Sequence, residues 1–222
     1  MIDLSALTVE EFAAQLGRPD GSVGLAVGDL LNRANGALTR VVIRRLGLEP
    51  GERVLEIGFG NGKLTEELLA EADGLSYVGL DVAETMVAVA RDFNAEAVAA
   101  GRAAFHLASA EAMPIGNASV DKIMAVNVFY FIADAAKAIV EMRRVLRPKG
   151  LSIVAVSTPE TAARFSFHRP EFGFRVVDAD TLVALHLAAG FAAVTVEPYS
   201  DPVVLPDGQT VQRDYHVVIG EG

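Results

Sequence analysis

Short apolar runs alternate with amphipathic segments along most of the chain. Apolar runs bounded by turn residues are typical of strands buried in a parallel sheet, and apolar residues spaced three or four apart predict helices that pack on it. The predicted strands cover residues 54–57, 77–80, 103–107, 120–127, 151–156, 194–196 and 215–219. The alternation of strand and helix patterns predicts an α/β domain.

Helical patterns fill the stretches between these runs. The apolar spacing predicts helices over residues 9–16, 27–46, 64–72, 83–100, 135–146 and 180–189. Gly36 is a candidate break within the second helix, and residues 17–24 are predicted to form a loop. Asp180 is the predicted N-cap of the last helix, and Gly190 is its predicted stop.

The stretch between the first predicted strand and the next helix carries candidate chemistry. Gly58, Gly60 and Gly62 alternate directly after the strand. Strand, glycine turn and helix in this order let the backbone approach a ligand closely at a helix N-terminus. Asp81 ends the second predicted strand and therefore falls at the same sheet edge, where open α/β sheets bind ligands. A carboxylate there can accept hydrogen bonds from both hydroxyls of a ribose.

Two segments, VLEIGFGNG and GLDVAETM, resemble the signature segments of class I S-adenosylmethionine-dependent methyltransferases in order and spacing. RRVLRPKGLSIVAV also resembles the family and extends the likeness to about residue 157. The resemblance implies a three-layer Rossmann-like fold with a seven-stranded, mostly parallel sheet in the order 3-2-1-4-5-7-6, its last strand antiparallel. It also implies S-adenosyl-L-methionine as the cofactor. The residues that it assigns to cofactor binding are Glu56, Gly58, Gly60, Gly62, Asp81, Val82, Met86, Ser109, Ala110 and Asn127.

Two places depart from patterns found in the family. The loop after the third strand commonly begins with an aspartate that binds the adenine amino group, and Ser109 stands there instead. We expect adenine recognition to be weaker on that side, with the Ala110 N–H still reaching a ring nitrogen and Glu111 offering a carboxylate nearby. Asn127 and Tyr130 match only the ends of the Asn-Pro-Pro-Tyr segment of the branch that methylates nucleobase amines, which disfavours that chemistry.

The whole chain, residues 1–222, is predicted to form a single domain with a cofactor-binding core at 51–157 and a C-terminal helix and strands at 178–222. Residues 1–50 are predicted to form a helical lid, with a packing helix at the sheet edge as the alternative. Residues 158–177 lack clear periodicity, and we predict a substrate-covering loop there, with a plain packing loop as the alternative. This segment contains four phenylalanines and a histidine: Phe165, Phe167, His168, Phe172 and Phe174.

Catalytic residues are harder to identify, because methyl transfer needs a general base only when the nucleophile must lose a proton. Tyr130 and His168 are the candidates. Two other functions stay open: a nicotinamide-dependent dehydrogenase, which also combines a glycine turn with an acid after the second strand, and a non-catalytic module that binds the cofactor to regulate a partner. The tighter glycine spacing and Glu56 inside the strand argue against the dehydrogenase.

The amino-acid composition of the chain limits the kinds of partner and ligand that it can bind. The 222 residues carry a net charge of −10 and no cysteine, which excludes disulfides and thiolate metal sites and disfavours nucleic acid as a partner. The four histidines show no metal-ligand spacing, so no metal is predicted. No apolar run approaches the roughly 18 residues of a membrane span. We expect a cytoplasmic protein that acts on a small molecule, and the oligomeric state stays open.

Overall fold

A seven-stranded sheet runs through the centre of the molecule in a computed structural model that describes residues 2–204 and 210–222. In chain order the strands are β1 (Arg53–Ile57), β2 (Ser76–Asp81), β3 (Ala103–Leu107), β4 (Val120–Val126), β5 (Leu146–Ser157), β6 (Ala193–Val204) and β7 (Thr210–Glu221). Their spatial order is β3-β2-β1-β4-β5-β7-β6. The pairs among β1 to β5 are parallel, and β7 runs antiparallel to both β5 and β6. The predicted strand order and the antiparallel last strand are confirmed.

Helices cover both faces of the sheet. Among the described residues they are α1 (Val9–Gly17), α2 (Gly21–Arg45), α3 (Thr65–Leu69), α4 (Glu84–Phe93), α5 (Ala95–Ala99), α6 (Ala135–Val145), α7 (Pro159–Ala162) and α8 (Ala179–Ala188). Successive strand residues point to opposite faces, so Leu55 packs with α1, α6 and α8, while Val54 packs with α2 to α5. The three-layer α/β architecture follows from these two buried clusters.

The N-terminal helix α2 is longer than its apolar pattern predicts. It begins at Gly21 and continues through Gly36 to Arg45, so the predicted loop over residues 17–24 is reduced to residues 18–20 and the predicted break is wrong. One glycine costs a helix only about 1 kcal/mol relative to alanine, and a 25-residue helix packed on the sheet offsets that cost. The carboxylate of Asp20, just before α2, accepts a hydrogen bond from the Thr85 hydroxyl at 2.9 Å and ties the start of the helix to α4.

The predicted helix over residues 83–100 is divided into α4 and α5 at Asn94. The buried Asn94 side-chain amide donates to the carbonyl of Gly62 at 3.0 Å and to that of Ala90 at 2.8 Å. A side chain that binds backbone carbonyls competes with the helix, which explains the break and fixes the helix against the glycine turn. The N-cap of α8 is Asp178 rather than the predicted Asp180, because its carboxylate accepts from the N–H of Thr181 at 2.7 Å.

The C-terminal hairpin is much longer than predicted. β6 and β7 pair along their full twelve residues, whereas the apolar runs cover only the ends nearest the sheet centre. The outer half carries alternating polar residues, including Asp201 opposite Arg213, which form a buried ion pair at 2.9 Å. Polar side chains that pair with each other across strands give no hydrophobic signal in the sequence.

Candidate active site

A cavity of about 710 Å³ opens beyond the carboxyl ends of β1 to β4. Its walls are the turn after β1, the loops after β2, β3 and β4, the segment after β5, and helices α1 and α2. The position is the one at which open α/β sheets bind ligands, and the volume lies in the range of roughly 300–1,000 Å³ for small-molecule sites. Every residue predicted to bind the cofactor or to act in catalysis lines this cavity.

The turn after β1 needs glycine at each of its three positions. Gly58, Gly60 and Gly62 have φ angles of 72°, 61° and 68°, in the left-handed region that favours glycine. A Cβ at Gly58 would lie 2.4 Å from Val128 Cγ2, and one at Gly62 would lie 2.8 Å from Ala90 Cβ. A Cβ at Gly60 would meet no described atom within 4 Å. The first and third glycines therefore allow close packing, and the middle one leaves its backbone open to a ligand.

The carboxylate of Asp81 is fastened to this turn. One oxygen accepts from the N–H of Gly60 at 3.0 Å, and the other accepts from the N–H of Ala83 at 2.9 Å. Burial raises the pKa of Asp81, and these two N–H groups act against that rise by stabilising the ionised form. Each carboxylate oxygen keeps a lone pair for a ligand hydroxyl.

The second carboxyl group, Glu56, points from β1 into the cavity wall. The hydroxyl of Tyr77 donates to it at 2.7 Å, and among the described residues it forms no ion pair with Lys, Arg or His. Burial, with a smaller contribution from the charge of Asp81, raises the pKa of Glu56 to about 7. A positively charged ligand beside the two acids would favour their ionised forms.

The loop after β3 contains the serine that replaces the family's aspartate. The Ser109 hydroxyl accepts from the N–H of Glu111 at 3.1 Å, and the Glu111 carboxylate accepts from the N–H of Asp134 at 2.6 Å. Ser109, Ala110 and Glu111 all line the cavity. Glu111 therefore brings a carboxylate to this wall two residues beyond the usual position.

Asn127 lies at the centre of a hydrogen-bonded chain across the cavity. It has a φ of 55°, a left-handed conformation that asparagine tolerates, and its amide donates to the side-chain oxygen of Asn35 on α2 at 3.1 Å. Tyr130 donates to Asn127 at 3.0 Å and accepts from the N–H of Ser157. Burial raises the pKa of Tyr130 to about 12, so its hydroxyl stays protonated near neutral pH and positions Asn127.

Five rings cover the far end of the cavity and are called the aromatic wall here: Tyr130, Phe165, Phe167, His168 and Phe174. The His168 ring centroid lies 4.7 Å from those of Phe167 and Phe174 and 5.5 Å from that of Tyr130. Burial lowers the pKa of His168, which favours its neutral ring. The predicted candidates Tyr130 and His168 are thus brought together, and Phe172 is the one ring of the 158–177 segment that does not line the cavity.

Known methyltransferases resemble this chain in sequence, and solved structures resemble it in fold. A family model described as a methyltransferase domain matches residues 55–154. The O-methyltransferase cnsE of Penicillium expansum is 30% identical over 167 residues, which are 72% of this chain and 59% of that protein. The fold is similar to that of the YcgJ protein from Bacillus subtilis, with a TM-score of 0.68 and 18% identity over 82% of this chain and 96% of that one.

Residues 55–154 are therefore a methyltransferase domain, in agreement with the resemblance to the class I S-adenosylmethionine-dependent methyltransferases. A further methyltransferase fold is that of phosphoethanolamine N-methyltransferase 2 of Haemonchus contortus, solved in complex with S-adenosyl-L-methionine, with a TM-score of 0.66 and 14% identity over 83% of this chain and 52% of that one. This methyltransferase chain spans 59% of the length of cnsE and 62% of that of an O-methyltransferase from Pyrenophora dematioidea.

One part of this methyltransferase site has no signal in the sequence. Arg213 on β7 lines the cavity, and its guanidinium binds both carboxylate oxygens of Asp201 and the carbonyl of Ala34 on α2. The position of Arg213 at the cavity depends on the register of the β6–β7 hairpin, which the apolar pattern does not define.

Within residues 2–204 and 210–222 no group of three or more His, Asp or Glu side chains is arranged to hold a metal ion. No helix in the same described part of the chain has the length and apolar character needed to cross a bilayer.

Proposed function

We propose that this chain is an enzyme that transfers a methyl group from S-adenosyl-L-methionine to a small-molecule acceptor. The observation that carries the proposal is the carboxylate of Asp81, held by the N–H of Gly60 at 3.0 Å on the wall of a ligand-sized cavity. The methyltransferase domain at residues 55–154 supports it, as do the name of the relative cnsE and the cofactor in the Haemonchus contortus structure.

The lining residues fit the cofactor by their chemistry. Asp81 has lone pairs for the ribose hydroxyls, and the open backbone at Gly60 allows close approach. We assign Ser109 and Ala110, together with Glu111, to the adenine ring. The remaining assigned residues are the carboxyl of Glu56, the turn residues Gly58 and Gly62, the apolar Val82 and Met86, and the amide of Asn127.

When bound, the cofactor supplies a methyl group on a positively charged sulfur that is already activated for displacement. The chain therefore has to align the acceptor and exclude water, which is worth about 7–11 kcal/mol in favourable cases. We assign this work to residues 1–50 and 158–177, whose side chains form the outer walls of the cavity. The neutral imidazole of His168 takes the acceptor proton where one must leave, and Tyr130 holds Asn127 in place.

Calorimetric titration tests the proposal. We expect S-adenosylmethionine and S-adenosylhomocysteine to bind, NAD to bind far more weakly, and Asp81→Ala to bind the adenosyl ligands more weakly than the parent. Asp92→Ala, which removes an exposed carboxylate on α4 outside the cavity, is the matched control and should bind as the parent does. Tight binding of NAD would instead favour the dehydrogenase. Cofactor binding without donor consumption over a broad acceptor panel would favour the non-catalytic module.

The remaining assignments are also proposals. A cytoplasmic location and a small molecule rather than nucleic acid as the substrate are supported by the net charge of −10, which disfavours nucleic-acid phosphates, and by a chain without cysteine. The division of the domain into a lid (1–50), a cofactor-binding core (51–157) and a substrate-covering segment (158–177) is supported by the cavity, because residues of all three parts line it.

A further inference from the structure

The charges on the cavity wall are concentrated at one end. The carboxyl groups that line it are Glu56 on β1, Asp81 after β2 and Glu111 after β3. These strands form one half of the sheet, and the aromatic wall follows β4 and β5 in the other half. The cavity therefore has an acidic end over β1 to β3 and an aromatic end over β4 and β5.

The aromatic end has almost no net charge. Among the described lining residues from position 126 onward, Arg213 is the one Lys, Arg, Asp or Glu side chain. Its guanidinium binds the two oxygens of Asp201 at 3.1 and 2.9 Å and the carbonyl of Ala34 at 2.6 Å. Because Asp201 neutralises this cation, the described residues of the aromatic end offer no unpaired charge to a ligand.

The ring geometry of this end suits a flat ligand. Phe165 and Phe167 are nearly parallel, with centroids 5.4 Å apart and planes 29° apart, and Tyr130 and Phe174 are likewise 29° apart. Aromatic rings favour offset-stacked or edge-on contact with another ring, worth about 0.5–1.5 kcal/mol per pair beyond the area buried. A charged group placed here would lose water without gaining an opposite charge.

We propose that the methyl acceptor is an uncharged, planar aromatic alcohol of the phenol class, bound against the aromatic wall, with its hydroxyl oxygen as the accepting atom. This inference rests on the proposed methyl transfer. A protonated amine is disfavoured because, among the described residues that line this end, no unpaired carboxylate is available to bind it. A carboxylate acceptor is disfavoured because the guanidinium there is already paired.

Methyl transfer to a phenol oxygen needs an acceptor for the hydroxyl proton, and the cavity provides one. A lone pair of the acceptor oxygen forms the new oxygen–carbon bond while the sulfur–carbon bond breaks, and the electron pair of that bond stays on sulfur as a neutral thioether. The hydroxyl proton passes to the imidazole of His168, which later releases it to solvent. A phenol resembles tyrosine, with a pKa of about 10, so it needs such a base near neutral pH.

Four matched probes test the acceptor class: 2-naphthol, the protonated 2-naphthylmethylamine, 2-naphthoate and the non-planar alcohol 2-decalol. Each is titrated calorimetrically into the protein saturated with S-adenosylhomocysteine at pH 7.5. We expect 2-naphthol to bind at least about tenfold more tightly than the other three, because it alone is both planar and uncharged. Equal or tighter binding of the amine, the carboxylate or 2-decalol, or no binding of any probe, would overturn the proposal.

Two variants separate stacking from general packing. Phe167→Leu should weaken 2-naphthol binding by about 2–10-fold, while Phe172→Leu, in the same segment but outside the cavity, should not change it. Equal effects of the two changes would count against the aromatic wall as the binding surface.

A third variant tests the base. His168→Gln should slow methyl transfer from labelled S-adenosylmethionine to 2-naphthol by about 10²–10⁴-fold and remove the acidic limb of the pH profile. An unchanged pH profile would refute the role of His168. Protein that binds S-adenosylmethionine but methylates the amine rather than 2-naphthol would refute the acceptor class alone, and failure to bind S-adenosylmethionine would refute the proposed function itself.

Discussion

Replacing Glu56 with glutamine is expected to stabilise the ligand-free protein, and by more at pH 8 than at pH 5. Burial raises the pKa of Glu56 from 4.5 to about 7, so between these values the folded state binds more protons than the unfolded state. The stability contributed by the protonated carboxyl is therefore complete below about pH 4.5 and is lost as the pH rises through about 7. Glutamine stays neutral and removes this loss.

The magnitude follows from the shift in pKa. At about 1.36 kcal/mol per unit, a rise from 4.5 to about 7 corresponds to roughly 3 kcal/mol. Glu56 is half-buried on the wall of an open cavity, and solvent screening there reduces the expected effect to about 2–3 kcal/mol. At pH 5 the same calculation leaves less than about 1 kcal/mol.

Urea unfolding followed by circular dichroism between pH 5 and 8.5 measures the effect. The quantity of interest is the change with pH in the stability difference between Glu56→Gln and the parent, because any packing effect of the amide is the same at every pH. Glu66→Gln, which changes an exposed carboxylate on α3, provides the control and should show a constant difference. A constant difference for Glu56→Gln as well would refute the reasoning.

The same carboxyl predicts proton release when the cofactor binds. S-adenosylmethionine carries a net positive charge, which favours the ionised form of Glu56. At pH 6.5 the binding enthalpy of the parent should therefore depend on the ionisation enthalpy of the buffer, and that of Glu56→Gln should depend on it less. Equal buffer dependence in the two proteins would show that Glu56 does not supply the proton.

Three further changes test the cofactor end of the cavity. Asp81→Ala should weaken S-adenosylmethionine binding by about 1.5–3 kcal/mol in titration, and it should also lower stability because two partly buried N–H groups lose their acceptor. Ser109→Asp should increase the affinity for the adenosyl ligand relative to that for its inosine analogue. No change in the ratio of the two affinities would indicate that Glu111 recognises the adenine amino group. Gly58→Ala should destabilise the fold by about 1–3 kcal/mol in urea, since its Cβ would lie 2.4 Å from Val128, and Val128→Ala should recover part of the loss.

The sequence predicts the centre of the fold well because local and distant constraints agree there. The strand before Gly58 is a short apolar run, the glycines match a turn that needs positive φ, and Asp81 ends the next apolar run. The strand order, by contrast, comes from the resemblance to a family, because an apolar run does not indicate which strands lie beside it in the sheet. Where the residue pattern and the family resemblance make the same prediction, the structure agrees with it.

Two of the failed predictions share a physical cause, which is polar side chains that bind partners far away in the sequence. Asn94 ends α4 by binding the glycine turn, and Asp201 extends the hairpin by pairing with Arg213. Hydrophobic periodicity reports only which positions avoid water. It therefore misses elements whose length is set by hydrogen bonds and ion pairs.

The middle of α2 shows how such a polar exception identifies the site. The segment from Leu31 to Gly36 is too polar for a helix that packs on a sheet edge, yet α2 runs through it. Its Asn32 amide donates to Asn61 within the glycine turn, its Asn35 accepts from Asn127 after β4, and its Ala34 carbonyl accepts from Arg213 on β7. Three parts of the cavity wall thus bind one short segment of the helix. Its polarity is explained by these contacts rather than by exposure to solvent, and a local rule broken in this way is expected at a functional site.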